Sequence, residues 1–201
     1  MITLARTIHN LVEDLDVYAY RRGLPKICLL FMPLLYPTTW PVIVYRVHHY
    51  VFFAVKMPFV RQILLAILFC IARVINVLTS IEINRAAVID QGIFIPHLGN
   101  IVVAHNTVIG KYASIHQGVT FGNEGRDTNA TGMPNLGDSV YVGAGAKIVG
   151  GVKIGNGVMI GCNAVVVKDI PENATAVGVP ARVINSKGSK GCIHYRKQKE
   201  Q

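Results

Sequence analysis

The sequence predicts a mainly β solenoid preceded by an apolar helical region, and two observations carry that prediction. Leu136, Val142, Ile148, Ile154, Ile160 and Val166 recur every six residues, with Val140, Ala146, Val152, Val158 and Ala164 four places behind successive anchors. Neither a helix nor a pleated strand repeats at that interval, so the pattern calls for a coil that turns a corner at each hexad and stacks its anchors into one interior column. Residues 24–80 lack this period and are rich in Leu, Phe, Ile and Val, with Lys26, Arg46, Lys56, Arg61 and Arg73 spaced among them.

Residues 1–80 form the first unit. The opening stretch holds Glu13, Asp14 and Asp16 and has no basic start followed by an apolar run, so no secretory signal is expected. Ile27–Tyr45 carries no charge and is about long enough to span a bilayer. Pro33, Pro37 and Pro41 interrupt it, however, and a proline inside a helix costs roughly 3 kcal/mol. Gln62–Ala72 is too short to span, and extension through Arg73 adds a charge costing about 2.5–3.5 kcal/mol at mid-membrane. Helices lying in the membrane interface fit better, each Lys or Arg adding about 1 kcal/mol of attraction to anionic lipid. The expected location is cytoplasmic, peripheral or monotopic on the inner face of the cell membrane. A helical bundle that buries these faces against itself or against neighbouring subunits is the alternative.

Residues 81–184 form the coil. The period continues upstream through Val103, Ile109, Ile115 and Phe121, and in a second register through Ile83, Ile89, Ile95 and Ile101, with a two-residue slip between them. Gly122–Asn135 places Asn, Asp, Gly and Thr where anchors belong, which predicts an extended loop over 122–135. Residues 185–201 are polar and basic, read as a flexible tail or a short segment touching another subunit.

Lys and Arg number 20 against 11 acids, a net charge of +9, which favours anionic partners. Nucleic acid is not among those expected, because the repeats carry no aromatic-plus-basic stacking surface and no helix-turn-helix or zinc-finger spacing. Cys28, Cys70, Cys162 and Cys192 lie far apart with no CxxC pair, so neither a metal site nor a disulfide framework is indicated.

Among residues able to do chemistry, His97 sits two places after the anchor Ile95, next to the slip, where a side chain can be re-aimed from the regular coil. Glu82 lies fifteen residues earlier, an offset that puts it on the adjacent turn if each turn is three hexads. A carboxylate there would orient an imidazole acting as general base towards an alcohol. His116 and His105 are lesser candidates without a comparable acid, and His116 is the secondary one.

Several motifs then coincide in order: Ser80-Ile81-Glu82-Ile83, Ile95-Pro96-His97, His116-Gln117-Gly118-Val119-Thr120-Phe121-Gly122, Val142-Gly143-Ala144-Gly145-Ala146-Lys147 and Gly178-Val179-Pro180-Ala181-Arg182. With Tyr45-Arg46-Val47-His48-His49 ahead of them, they make the chain resemble the hexapeptide-repeat acyltransferases, in particular the serine O-acetyltransferase branch and its relatives that O-acetylate exopolysaccharides such as colanic acid. The resemblance implies a left-handed parallel β-helix, a homotrimer, and acetyl-CoA as co-substrate in the groove between neighbouring coils. It implies His97 as general base and Glu82, where the family usually has Asp, as its orienting acid. It also implies that Ala144, Cys162 and Gly178 border the cofactor groove, with Lys147 and Arg182 approaching the CoA phosphates.

The acceptor positions depart from the serine enzymes. Pro96 stands where they carry Asp, and Gly132-Met133-Pro134 where they carry Arg-His before a proline. A charged amino acid would lack partners there, while the loop start Gly122-Asn123-Glu124-Gly125 looks like the polysaccharide-modifying relatives. The expectation is therefore direct acetyl transfer to a sugar hydroxyl of a surface polysaccharide or its precursor, with a glycan acceptor and the loop residues Asn123 and Met133 near it. Serine O-acetylation is the enzymatic alternative and a trimeric scaffold the non-enzymatic one.

Overall fold

The computed structural model describes residues 2–125 and 132–196. Hexads become short strands because each aliphatic anchor points inward and the polar or glycine residues between anchors turn the corners. Three parallel sheets result, each running along one face of a triangular coil. The first face holds β1 (Ile81–Ile83), β3 (Ile101–Val103), β6 (Thr120–Gly122), β9 (Lys147–Val149) and β12 (Val165–Val166). The second holds β2 (Val88–Ile89), β4 (Val108–Ile109), β7 (Asn135–Leu136) and β10 (Lys153–Ile154). The third holds β5 (Ser114–Ile115), β8 (Tyr141–Val142), β11 (Met159–Ile160) and β13 (Thr175–Val177), with β14 (Arg182–Asn185) added antiparallel. Ile101, Ile109, Ile115, Phe121, Val142, Ile148 and Ile160 are fully buried in the shared interior.

Register locates both irregularities. Phe94 bridges Ser114, twenty residues on, whereas Val103 pairs with Phe121, eighteen on, so the two extra residues lie between Ile95 and Val103. Ile109 pairs with Leu136, twenty-seven on, which places the long excursion at the corner between the first and second faces. Residues 126–131 of that excursion lie outside the described residues.

Ahead of the coil stand α1 (Leu4–Arg21), a 3₁₀ turn (Lys26–Phe31), α2 (Met32–Leu35), α3 (Thr39–Ala54) and α4 (Pro58–Thr79). Thr3 caps α1, its hydroxyl accepting from the Arg6 amide. The first turn of a β-helix presents an unpaired backbone edge, and α1 and α3 cover it with side chains. Asp14 accepts from the amides of Gly92 and Ile93 at 2.7 and 3.0 Å and from Arg46 Nε at 2.8 Å. Arg46 in turn donates to the carbonyls of Ile89 and Asp90. Tyr45 Oη donates to the Ala87 carbonyl and accepts from the Ile89 amide, and Tyr18 Oη does the same with the Ile95 carbonyl and amide. Burial pushes the Asp14 carboxyl up against the pull of Arg46 and the two amides, and pushes the Tyr45 phenol up to about 12.

The polar tail folds back onto the coil and α1 instead of standing free of them. Ser189 Oγ donates to the Ser139 carbonyl at 2.6 Å, Tyr195 stacks on Tyr112 at 3.8 Å, and Arg196 pairs with Asp16 at 3.0 Å. Residues 197–201 lie outside the described residues.

Replacing Arg46 by Met strands the buried Asp14 carboxylate, and we expect a loss of about 3–5 kcal/mol in urea unfolding. Tyr45→Phe, which removes one hydroxyl, should cost less, about 1–3 kcal/mol. Equal losses for the two variants would contradict the edge-capping role of the ion pair.

His48 and His49 give the helical cap a pH dependence. Burial lowers both imidazoles below their ordinary range, with Arg85 adding to the shift at His48 and Arg46 at His49. Their folded values lie below the unfolded one of about 6.5, so the unfolded chain binds more protons in that window. Stability from these groups is fully present above the unfolded value and is lost as pH falls through the window. The melting temperature should drop between pH 7.5 and 5.5, and by less in a His48→Gln variant.

Candidate active site

The coil brings one set of the sequence candidates together on a single corner, the one leading from the third face to the first. Gly118 N donates to the Gly99 carbonyl, Gly145 N to Gln117, Asn163 N to Ala144 and Val165 N to Gly178, each at 2.8–3.0 Å. His97, His116, Ala144, Cys162 and Gly178 therefore stack along this edge, one on each successive turn. The edge needs small residues. A Cβ at Gly143 would sit 2.7 Å from the Cys162 amide nitrogen, and one at Gly145, where φ is +75°, would strike Asn163 Oδ1. Ala144 is half-buried, whereas Cys162 and Gly178 are exposed beside it.

The two extra residues fall in the first of these corners and push it outward. Gly99 and Asn100 take positive φ there, and the His97 side chain stands exposed. Its ring lies 6.2 Å from that of His116, which lies 4.8 Å from the Tyr141 ring. Burial lowers His116 below the ordinary imidazole range, with the nearby His97 and Arg21 adding to the shift, so its surroundings favour the uncharged ring.

Arg21, at the end of α1, was not singled out from the sequence. Its guanidinium lies 4.1 Å over the Phe94 ring, Nη2 donates to the Cys192 carbonyl at 3.3 Å, and buried Nε has no partner among the described residues. Tyr141 was likewise missed. Its phenol is raised by burial, then by Cys162 and Cys192. Only the fold carries Arg21 from outside the repeat to the corner with His116. An isolated arginine at a helix end gives no such signal.

Other candidates lie elsewhere. Glu82 is on β1, and its Oε2 accepts from Asn76 Nδ2 at 3.5 Å. Among the described residues it makes no hydrogen bond to His97. The fifteen-residue offset assumed a turn of three hexads, but this turn has twenty residues and Glu82 pairs in register with Val102. Glu82 lines a cavity of about 300 Å³ between α3, α4 and β1, with Arg73, Arg85 and His48.

Lys147 is also redirected from the phosphate-binding position expected of it. Its Nζ donates to the Gly118 carbonyl and to Thr120 Oγ1, bracing the corner below His116. Arg182 is exposed on β14, with Nη1 donating to the Ala181 carbonyl at 3.0 Å. Asn123 and Met133 flank the long excursion at the other end of the first face. Asn123 Oδ1 there accepts from the Gly125 amide at 3.2 Å. His105 is exposed after β3, off this corner. Among the described residues no cluster of His, Cys, Asp and Glu could hold a metal ion.

The coil matches the bacterial transferase hexapeptide (six repeats) model over residues 133–168. Serine acetyltransferase from Synechococcus elongatus is 36% identical over 155 residues, which make up 77% of this chain and 60% of the relative. That from Helicobacter pylori strain J99 is 36% identical over 151 residues, 75% of this chain and 83% of the relative. A solved serine acetyltransferase in complex with CoA superposes with a TM-score of 0.73 at 34% identity, covering 90% of this chain and 71% of that one. The coil is accordingly a left-handed parallel β-helix. The chain spans about three fifths of the length of the cyanobacterial and Haemophilus relatives.

These relatives overturn the expectation of a polysaccharide hydroxyl as acceptor, since matches over three quarters of the chain are serine acetyltransferases. Pro96 and Gly132-Met133-Pro134, which depart from the serine enzymes, are coil and loop positions only. Arg21, which comes from α1, lies outside those positions.

The position of Lys147 Nζ makes a separable prediction. Lys147→Met should cost about 1–3 kcal/mol of stability by leaving the Gly118 carbonyl without its donor. The KM for acetyl-CoA should change less than twofold. A large rise in that KM at unchanged stability would restore the phosphate role.

Proposed function

We propose that this chain, which belongs to the serine acetyltransferase family of hexapeptide-repeat transferases, moves the acetyl group of acetyl-CoA to the hydroxyl of free serine. The observation that carries this reading is the stacking of His97, His116, Ala144, Cys162 and Gly178 on one corner, with Arg21 brought beside it.

The corner supplies a smooth groove for an extended co-substrate. Gly143, Gly145 and Gly161 lack the Cβ atoms that would collide with the next turn, and the outer side of Ala144, Cys162 and Gly178 is left for the pantetheine arm. Arg182, exposed at the end of this edge, is available to the nucleotide phosphates as a charge-assisted partner. A homotrimer would complete the groove with a neighbouring coil.

His97 is the general base in this reading. It takes the serine hydroxyl proton as the oxygen attacks the thioester carbonyl, and returns it to the departing CoA sulfur when the tetrahedral adduct collapses. His116 is half-buried beside it, and the burial that favours its uncharged ring disfavours a second positive charge next to the imidazolium that forms. Arg21 pairs with the serine carboxylate, taking over the cationic duty that Gly132-Met133-Pro134 cannot perform. No acyl-enzyme is needed, since both substrates meet at the base.

His97→Ala should lower kcat about 10²–10⁴-fold at unchanged fold, measured by thiol release from acetyl-CoA with serine. Arg21→Lys should chiefly raise the KM for serine, because a single ammonium cannot reproduce the planar fork. Activity retained by His97→Ala and lost by His116→Ala would transfer the base to the second histidine. No serine-dependent release by the wild type would refute the acceptor.

A further inference from the structure

The helical cap leaves one of its elements uncovered. α4 runs 22 residues, about 33 Å, and is long and apolar enough to cross a membrane, yet only 6% of its apolar window is buried. Leu65 and Thr79 are its buried residues, facing the rest of the protein. Phe59, Ile63, Ile67, Cys70, Val74 and Leu78, spaced four, four, three, four and four apart, form a stripe on the outer side. All six are exposed, Phe59 to 78%. Arg61, Gln62, Arg73 and Asn76 project from the remaining arc. Such an apolar stripe along a whole helix marks an interaction surface.

Charge decides between occupants. From Val17 to Ile81 the chain has no Asp or Glu, whereas Arg21, Arg22, Lys26, Arg46, Lys56, Arg61 and Arg73 fall in that span. Of these, Arg46 is buried against Asp14. Lys56 is exposed at the start of the stripe, while Arg73 is exposed on the side of α4 that lines the cavity with Glu82, and neither forms an ion pair among the described residues. A second copy docked through the same face would set like charge against like. An anionic lipid surface meets both features, the apolar stripe entering the acyl boundary and the cations meeting the headgroups.

We propose that α4 is a monotopic membrane-docking helix that lies in the plane of an anionic bilayer. Lying flat follows from the packing. α3 and α4 form a hairpin joined by Val55, Lys56 and Met57, and α3 holds Tyr45, Arg46 and His49 against the coil. A spanning α4 would draw these polar contacts towards hydrocarbon, where each unsatisfied group costs several kcal/mol.

The test is co-sedimentation of the purified full chain with phosphatidylcholine vesicles and with phosphatidylcholine–phosphatidylglycerol vesicles, alongside oligomer mass and circular dichroism. The wild type should bind the anionic vesicles, and Lys56→Gln should weaken binding about fivefold, the effect of one cation removed. Ile63→Glu with Ile67→Glu should abolish binding at unchanged mass and helicity. Wild-type protein left in the supernatant with anionic vesicles overturns the proposal. So does a fall in oligomer mass in the glutamate variant, which would make the stripe a subunit contact. Neither variant touches the corner with His97, so the outcome is independent of the acetyl-transfer assay.

Discussion

The buried Arg46–Asp14 pair, closed at 2.8 Å over the first turn of the coil, is the contact on which the rest of the structure depends. A β-helix satisfies its backbone by stacking turn on turn, so the first turn has no preceding neighbour for its amides and carbonyls. Here the groups are satisfied by side chains: Asp14 takes two amides, Arg46 donates to two carbonyls, and the Tyr18 and Tyr45 phenols each serve one of each. An isolated buried charge would be prohibitive. Here both charges are paired and bonded to the edge, so one ion pair holds the cap in a single register. At the opposite end β14 folds back antiparallel on β13 and closes the third face.

The coil was legible from sequence because its physics is local. Each hexad fixes one anchor and one corner, and six anchors in phase from Leu136 to Val166 leave little choice of fold. Even the slip was readable, although the register puts the two-residue insertion ahead of Ile101, in the corner after Ile95, and not between Ile101 and Val103. The cap was less legible because its contacts join residues far apart in sequence. Asp14 meets Gly92 and Arg46, and Arg196 meets Asp16 across 180 residues, with no periodicity to announce them. The folding back of the basic tail was missed for the same reason.

The candidate site divides along the same line. His97, Ala144, Cys162 and Gly178 could be found because a regular coil places matching positions of successive hexads above one another, and His116 stands beside them one residue after its anchor. Glu82 was misjudged because its offset was reckoned on a regular turn, and the insertion that exposes His97 also shifts Glu82 into register with Val102. Lys147 was misjudged because a cation near a glycine-rich corner reads the same whether it faces a phosphate or, as here, the chain's own carbonyl. Arg21 belonged to no motif. Its place at the corner is a consequence of helix docking alone.

That docking ties the edge to the site through one rigid element. Asp14, Tyr18 and Arg21 stand at i, i+4 and i+7 on α1, a spacing that puts them on one helical face. The first bonds the amides of Gly92 and Ile93, the second bonds Ile95, and the third lies over Phe94, so the stripe tracks the segment that leads into Pro96 and His97. The depth at which α1 sits is set by the buried pair, and that depth fixes where the Arg21 guanidinium stands relative to His116 and Tyr141. A change that loosens Asp14 from Arg46 therefore moves the cation at the corner as well as weakening the cap, and the stability of the first turn and the geometry of the candidate corner are properties of the same helix face.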